Sequence, residues 1–419
     1  MTNAAWFDRA AAVLPAGGFG NFDHSIFIKR GLGSHVWDED GNELIDYLIG
    51  SGPMLIGHGH PEVIEVVEKQ LKDGMTFFAN NALGVELAEQ IIDDMACAEQ
   101  VRYVTSGGEA DMYAIRAARA FTGKPKVMKF EGGYHGMSAE AQMSLAPTQL
   151  VNFPNAVPDS AGIPDGVRDE MLIAPFNDAE FAISLIAEHA DELACVIMEP
   201  LQRLIPPAPG FLEAVREACT KHGVVLIFDE IVTGYRLAYG GAQEKYGVTP
   251  DICTLGKIVG GGFPLAAIAG RADIMSHFDK AKVGADGFLM QLGTLSGNPI
   301  AAAAGTKTME ILRRDGTYEK LRADGARVMA MFQKHLTAAG HTIQIVGDET
   351  LFDLAFIDRE VRDYRDYIAA DGATNGRFNQ LLRERGILKS PGKTYICAAL
   401  TEEDLQATDA AIAEAAAKL

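Results

Sequence analysis

Two side chains in this sequence sit where covalent chemistry could be done. Lys257 lies in DICTLGKIVGGGFPLAAIAG (251–270), just past a short apolar run, and Asp229 closes another apolar run, VVLIFD (224–229). A lysine amine condenses with an aldehyde to give an imine. A carboxylate set against a pyridine nitrogen keeps that nitrogen protonated, so the ring can accept electrons from a neighbouring carbanion. Each residue alone has a plain explanation, since most lysines are solvated and an Asp-Glu pair commonly opens a loop. Leu255 and Ile258 flank Lys257, however, and the two apolar runs are consecutive, so their carboxyl ends would open onto one crevice of a parallel sheet. A third element is SGGEAD (106–111), between the apolar run VRYVT and the helical stretch MYAIRAARAFTG. Glycines at a strand-to-helix junction let backbone amides converge on an anion, and the helix dipole favours it there. Alone, such a turn reads equally well as a tight turn.

Two more loops fit the same pocket. FEGGYHG (130–136) presents Tyr134 and His135 where an aromatic could stack on a cofactor ring, and QLGTLSGNP (291–299) offers Thr294 as a hydroxyl donor to phosphate. Gly260, Gly261 and Gly262 let the backbone pass close to a bound ring. An aldehyde, a pyridine nitrogen and a phosphate occur together in pyridoxal 5′-phosphate (PLP), which is the cofactor these residues call for. No metal site is expected.

Such groups need an open α/β sheet to position them. Between 84 and 300 helical stretches alternate with VRYVT (101–105), KVMKF (126–130), ACVIM (194–198), VVLIFD (224–229), DICTL (251–255) and LAAIA (265–269). Runs that are apolar throughout predict strands buried on both faces, in a mostly parallel sheet covered by helices. Residues 1–60 read as an entry segment: a short helix, a turn at Gly17-Gly18, and a hairpin in HVWDEDGNELIDY. From His60-Pro61 a helix is expected with Val63, Val66, Val67 and Leu71 on one face. Beyond 316 the pattern predicts helix 317–339, strands 341–346 and 351–357, helix 375–385 capped by Gly386, strand 394–399, and helix 402–418 opened by Thr401 with Asp404 in a capping box. The expected division is a segment 1–60 packing with a small C-terminal α+β domain, 316–419, and a large cofactor-binding domain, 61–315.

Composition narrows the partners. A chain of 419 residues with 48% hydrophobic and 22% charged residues describes a globular protein of more than one domain. The formal charge of −20 argues against nucleic acid and anionic lipid as partners. Five cysteines without CxxC spacing read as reduced core residues, and no signal-type or spanning apolar segment is expected, which places the protein in the cytoplasm.

These residues resemble a family: the class III (ω-type) PLP aminotransferases of fold type I, in particular the glutamate-1-semialdehyde 2,1-aminomutase branch. The likeness runs through WDEDGNELIDY, GPMLIGHGHPEV, SGGEADMYAIRAARAFTG, KFEGGYHG, PDSAGIPDGV, PPAPGFLEAVRE, LIFDEIVTGYR, TLGKIVGGGFPLAAIAGR and GTLSGNP. The resemblance implies a seven-stranded large-domain sheet and a homodimer with active sites at the subunit interface. It makes Lys257 the imine-forming lysine, Asp229 the ring-nitrogen partner, and Gly107 and Gly108 phosphate binders, although the family more often has Ser or Thr at the second position. Tyr134 would stack on one ring face, Val232 or its neighbour Ile231 on the other, and Thr294 would reach the phosphate bound by the other subunit.

The substrate side departs from the aminomutase pattern. AGGFGNFDHSIF has no arginine where that branch grips a carboxylate, and His24 falls near the place; SWGPM has become GSGPM with Ser51; EPLQRLIPP replaces EPxxGNMG; and SPGKTY (390–395) is a compressed C-terminal loop. His24, Ser51, Arg203, Lys393 and Arg30 are candidate substrate contacts, and residues 142–168 resemble a gating loop. The expected activity is transfer of an amino group between an amine or non-α-amino acid and an oxo-acid or aldehyde, through the pyridoxamine form of the cofactor. The alternatives are an isomerase (aminomutase or amino-acid racemase) and a catalytically silent PLP-fold binding protein.

Overall fold

The turn DEDGN shows how short-range chemistry starts the chain. Asp38 collects the backbone N–H groups of Asp40 (3.0 Å) and Asn42 (2.8 Å), folding the chain back on itself. Ile28–Leu32 (β1), His35–Asp38 (β2) and Glu43–Asp46 (β3) thereby form an antiparallel ladder, following a helix Asn3–Val13. The computed structural model describes residues 1–419 and divides them into two units. The small one is Met1–Pro61, Asp315–Glu360 and Ala369–Leu419; the large one is Glu62–Arg314 and Val361–Ile368.

The large unit is built on seven strands: Gln100–Val104 (β4), Lys126–Phe130 (β5), Met171–Ala174 (β6), Leu193–Met198 (β7), Val225–Glu230 (β8), Ile252–Leu255 (β9) and Ala266–Gly270 (β10). Their order is β4-β10-β9-β8-β7-β5-β6, parallel except that β10 runs antiparallel to both β9 and β4. Every residue of β6 to β10 is buried, which is why these runs show no in-out alternation. β6, only four residues long and at the sheet edge, is the strand absent from the sequence reading. The helix Gly107–Thr122 presents Ala110, Ala114, Ala117 and Ala118 to the sheet core around Val127, Cys195 and Ile227, and these small side chains let it lie close. All five cysteines are free and buried.

Downstream, the small unit adds the helix Thr317–Ala338, strands Gln344–Asp348 (β11) and Leu351–Ala355 (β12), and the helix Gly372–Arg383. Strands Ile387–Leu388 (β13) and Thr394–Tyr395 (β14) and the helix Glu402–Ala416 complete it. β13 lies parallel to β3, so the two chain ends share one sheet; β11, β12 and β14 form another. Thr401 and Asp404 make the expected capping box. The expected strand 394–399 stops at Tyr395, because the next backbone donors go to loops: Ile396 N–H to Thr350 and Ala398 N–H to Leu55. Gly386 follows the preceding helix rather than capping it, turning the chain (φ 81°) into β13.

Two further expectations are corrected. In the helix Pro61–Asp73 only Val63 is buried, and Leu71 is 48% exposed. Val361–Ile368, assigned from sequence to the small domain, belongs to the large unit. Arg365 makes a two-pronged ion pair with Glu131 (2.7 and 3.0 Å) and donates to the Val151 carbonyl, while Asn177 donates to the Arg362 carbonyl. No helix is long and apolar enough to cross a membrane.

Candidate active site

Parallel pairing of β8 with β9 sets Asp229 opposite Thr254, so Lys257 emerges three residues further along, past the strand end. Lys257 has a left-handed backbone (φ 49°), a conformation costing an L-residue about 1–2 kcal/mol that persists only where surrounding structure imposes it. On the other side, the helix Gly107–Thr122 begins beside the same crevice. Ser106 caps it reciprocally with Glu109, leaving the first-turn amides directed outward.

The glycines of this turn sit in close quarters. A Cβ on Gly107 would lie 2.9 Å from Ile231 Cγ2, and one on Gly108 would lie 3.2 Å from Gly136 Cα. Gly136 itself has φ 82°, and its Cβ would fall 2.3 Å from Gly108 Cα. The two loops thus meet backbone to backbone at Gly108 and Gly136.

The result is a cavity of about 510 Å³ in the large unit, lined among others by Gly107, Gly108, Tyr134, Asp229, Ile231, Val232 and Lys257. Asp229 is buried; its Oδ1 accepts from the Ile231 N–H (3.0 Å) and its Oδ2 lies 2.8 Å from His135 Nδ1. His135 is buried behind Asp229, and its Nε2 meets no partner. Glu199 accepts the Tyr134 N–H at 2.8 Å, holding the loop that carries the Tyr134 ring. Glu230, wholly buried, accepts from Thr233, Ala242 and Gln243 and so fixes the loop after β8; burial pushes its carboxyl up. The donor set suits PLP: helix-terminal amides for a phosphate, a buried carboxylate for a ring nitrogen, and an amine for an aldehyde.

Other candidates lie elsewhere. Arg203 does not line the cavity: its guanidinium lies over the Tyr134 ring (5.2 Å) and donates to the carbonyls of Gly132 (2.9 Å) and Leu145 (3.3 Å). Thr294 is exposed on its loop outside the lining. His24, Ser51, Lys393 and Arg30 belong to the small unit, where His24 stacks on Phe7, Ser51 turns the chain with φ 64°, Lys393 closes a turn with Ser390, and Arg30 covers Trp37. Within 142–168, Met143 and Ser144 are buried, and Ser144 pairs with Val157.

Sequence reasoning missed Asp111 and Glu199, both in the lining. Asp111 is buried, and its Oδ1 accepts the Thr254 hydroxyl at 2.6 Å. Burial, reinforced by the charge of Asp229, pushes it well above the usual carboxylate range. Ligand-type atoms of Asp111, His135 and Asp229 lie within 4.8 Å of one another, a spacing that by distance alone would suit a cation. Thr254, Ile231 and the His135–Asp229 contact already engage these groups, however, as a hydrogen-bonded network.

Residues 20–408 match the aminotransferase class-III family. The chain belongs to the class III aminotransferases. Its cofactor is PLP, and it is an enzyme of the class III transaminase type. It is 40% identical to a glutamate-1-semialdehyde 2,1-aminomutase of Neisseria meningitidis serogroup C, over 98% of both chains. Among solved structures, it resembles an omega-transaminase from Sphaerobacter thermophilus with TM-score 0.93 and 35% identity, covering 99% of this chain and 96% of the other. A β-phenylalanine aminotransferase from Variovorax paradoxus follows with TM-score 0.86 and 31% identity, covering 98% and 93%. The large mostly parallel sheet with a smaller domain is the fold of these PLP-dependent transaminases.

Proposed function

We propose that this class III aminotransferase moves an amino group between an amine or non-α-amino acid and an oxo-acid or aldehyde acceptor. The observation that carries this reading is the makeup of the cavity: Lys257 is the one cation in its lining, and Arg203, the nearby guanidinium, is turned to backbone carbonyls. A carboxylate next to the reacting carbon calls for a guanidinium in the cavity. An amine, or an amino acid with a more distant carboxylate, does not. Likeness to an omega-transaminase and to a β-phenylalanine aminotransferase supports the same class of substrate.

Each residue then has a task. The amides of Gly107 and Gly108 hold the phosphate, Asp229 holds the proton on the ring nitrogen, Tyr134 covers one ring face, and Ile231 or Val232 packs on the other. When bound, PLP supplies an aldehyde that takes up the amine and a ring that accepts the electron pair of the broken C–H bond. Lys257 Nζ would take the proton from the substrate carbon and return it to the former aldehyde carbon of the cofactor, on the far side of the amine nitrogen, so that the amine stays with the cofactor. His135 Nδ1 and the Ile231 N–H keep Asp229 in place. Thr294 would donate to phosphate across a homodimer interface, a reading supported by the exposed apolar side chains beside it, Met290 (63%), Leu292 (72%) and Leu295 (45%).

The second reading is an isomerase, glutamate-1-semialdehyde aminomutase or an amino-acid racemase, and the 40% identity over nearly the whole of both chains favours it. A panel of amine donors supplied without acceptor separates the two. A transferase converts bound PLP to its pyridoxamine form and releases a carbonyl product in equal amount. Return of the amine to the same carbon skeleton, with no carbonyl released, would establish the isomerase instead.

A further inference from the structure

Asp111 has no task in the scheme above, yet it is buried at the floor of the site. It sits one turn inside the helix Gly107–Thr122, is 1% exposed, and shares the cavity lining with Asp229. Its Oδ1 accepts the hydroxyl of Thr254, the residue that pairs with Asp229 across β8 and β9. Two buried carboxyls with oxygens within 4.8 Å of each other do not both ionise, because each would lack water and face a like charge. The other groups around them divide the roles. Asp229 already takes the Ile231 N–H and the His135 ring, the arrangement of the charged partner, whereas Asp111 takes a single hydroxyl and no N–H donor. Glu199 adds a further negative charge to the surroundings of Asp111, and the nearby amines are Lys129 on β5 and Lys257 after β9. The proton therefore resides on Asp111. Thr254 engages Oδ1, and Asp229 is the other side chain in hydrogen-bonding contact with this carboxyl, so it is the available acceptor for the Asp111 O–H.

We propose that Asp111 is a positioning residue: as a neutral acid it donates a hydrogen bond to Asp229 and fixes the orientation in which that carboxylate meets the cofactor ring nitrogen. The inference rests on the reading of Asp229 as the ring-nitrogen partner. Three donors on Asp229, from Ile231, His135 and Asp111, hold it in one rotamer facing the place of the ring nitrogen.

Infrared pH titration of the wild-type protein, with and without PLP, reads the proton directly. At about neutral pH, where an ordinary Asp is ionised, the wild-type-minus-Asp111→Asn difference spectrum should show the carbonyl band of a protonated carboxyl, free of any contribution from buried Glu230. Absence of that band from the difference spectrum overturns the proposal. The PLP dissociation constant provides the second readout. Asp111→Asn keeps an N–H donor for Asp229 and an oxygen for Thr254, so its constant should stay within about threefold of wild type, whereas Asp111→Ala should weaken PLP about tenfold or more. Equal weakening in both variants overturns the positioning role, and if Asp111→Ala fails to fold, the wild-type band and Asp111→Asn decide. Asp229→Asn separates the two readings. Unchanged PLP affinity and absorbance there would remove Asp229 from the ring nitrogen, and the positioning role with it, while the infrared band would still report whether Asp111 holds a proton.

Discussion

Lys129 offers a quantitative test of the electrostatics beneath the site. It lies on β5 with no exposed surface, and its Nζ donates to the Ala141 carbonyl at 2.8 Å. Burial, assisted by the charge of Arg203, pushes its ammonium down from 10.5 to about 7. Above 10.5 the amine is neutral whether the chain is folded or not, so the depression has no effect there. As pH falls from 10.5 to about 7 the unfolded chain takes up a proton that the native state resists, and stability is lost. Below about 7 the loss is complete, and the separation of the two values corresponds to roughly 5 kcal/mol. Lys129→Met keeps the volume and removes this cost, while leaving the Ala141 carbonyl without its donor, a loss of about 1–3 kcal/mol. The variant should therefore be more stable than wild type by about 2–4 kcal/mol near pH 6, and the advantage should vanish or reverse near pH 10. Denaturant unfolding of both apoproteins across that range gives the difference directly. A difference that does not change with pH would mean that Lys129 keeps its proton in the folded chain, and the reasoning would be refuted.

Gly136→Ala should weaken PLP about tenfold or more, because its Cβ would lie 2.3 Å from Gly108 Cα; Gly162→Ala, at nearly the same φ but with open space around it, should leave PLP affinity unchanged, and equal effects in a binding titration would rule out crowding as the cause. Lys257→Ala should lose turnover by about a thousandfold or more and let PLP be removed by dialysis, so retained turnover in steady-state assays would take Lys257 out of the proton-transfer role. Arg203→Ala should lower kcat/KM alike for carboxylate and neutral amine substrates, since Arg203 braces Tyr134 and two carbonyls. A loss confined to carboxylate substrates would place Arg203 in substrate binding instead.

The features legible from sequence are those set by local composition. Strands buried on both faces announce themselves as largely apolar runs, as Leu193–Met198, Val225–Glu230, Ile252–Leu255 and Ala266–Gly270 do; Met171–Ala174 is too short, with an acid before it, to stand out. Lys257 and Asp229 are readable for the same reason: each ends such a run, and strand ends are where α/β sheets present ligands. What stays hidden depends on partners distant in sequence. Arg365 gives no local sign that it will pair with Glu131, 234 residues away, and so the segment 361–368 reads as part of the domain that surrounds it in sequence. Arg203 looks like a free cation in LQRLI, and only the fold shows which carbonyls it engages.

Asp111 is the sharpest case, because local rules point the wrong way. An acid in the second turn of a helix ordinarily faces water, and nothing in SGGEADMYAIR marks one of its two acids as buried. The two have opposite fates: Glu109 caps the helix, where hydrogen bonds hold its carboxyl below the usual range against a burial effect in the other direction, and Asp111 turns inward, where burial drives it up. That split bears on how a chain of net charge −20 receives an anionic cofactor. If both Asp111 and Asp229 were ionised, they would add two negative charges to that of Glu199 in a lining whose single cation is Lys257, and the phosphate would add more. With Asp111 neutral, one of those charges is gone, and Asp229 and Glu199 remain, the former for the proposed contact with the ring nitrogen. On the proposed reading the phosphate would meet the helix-terminal amides, whose favourable potential is local and indifferent to the net charge of the chain.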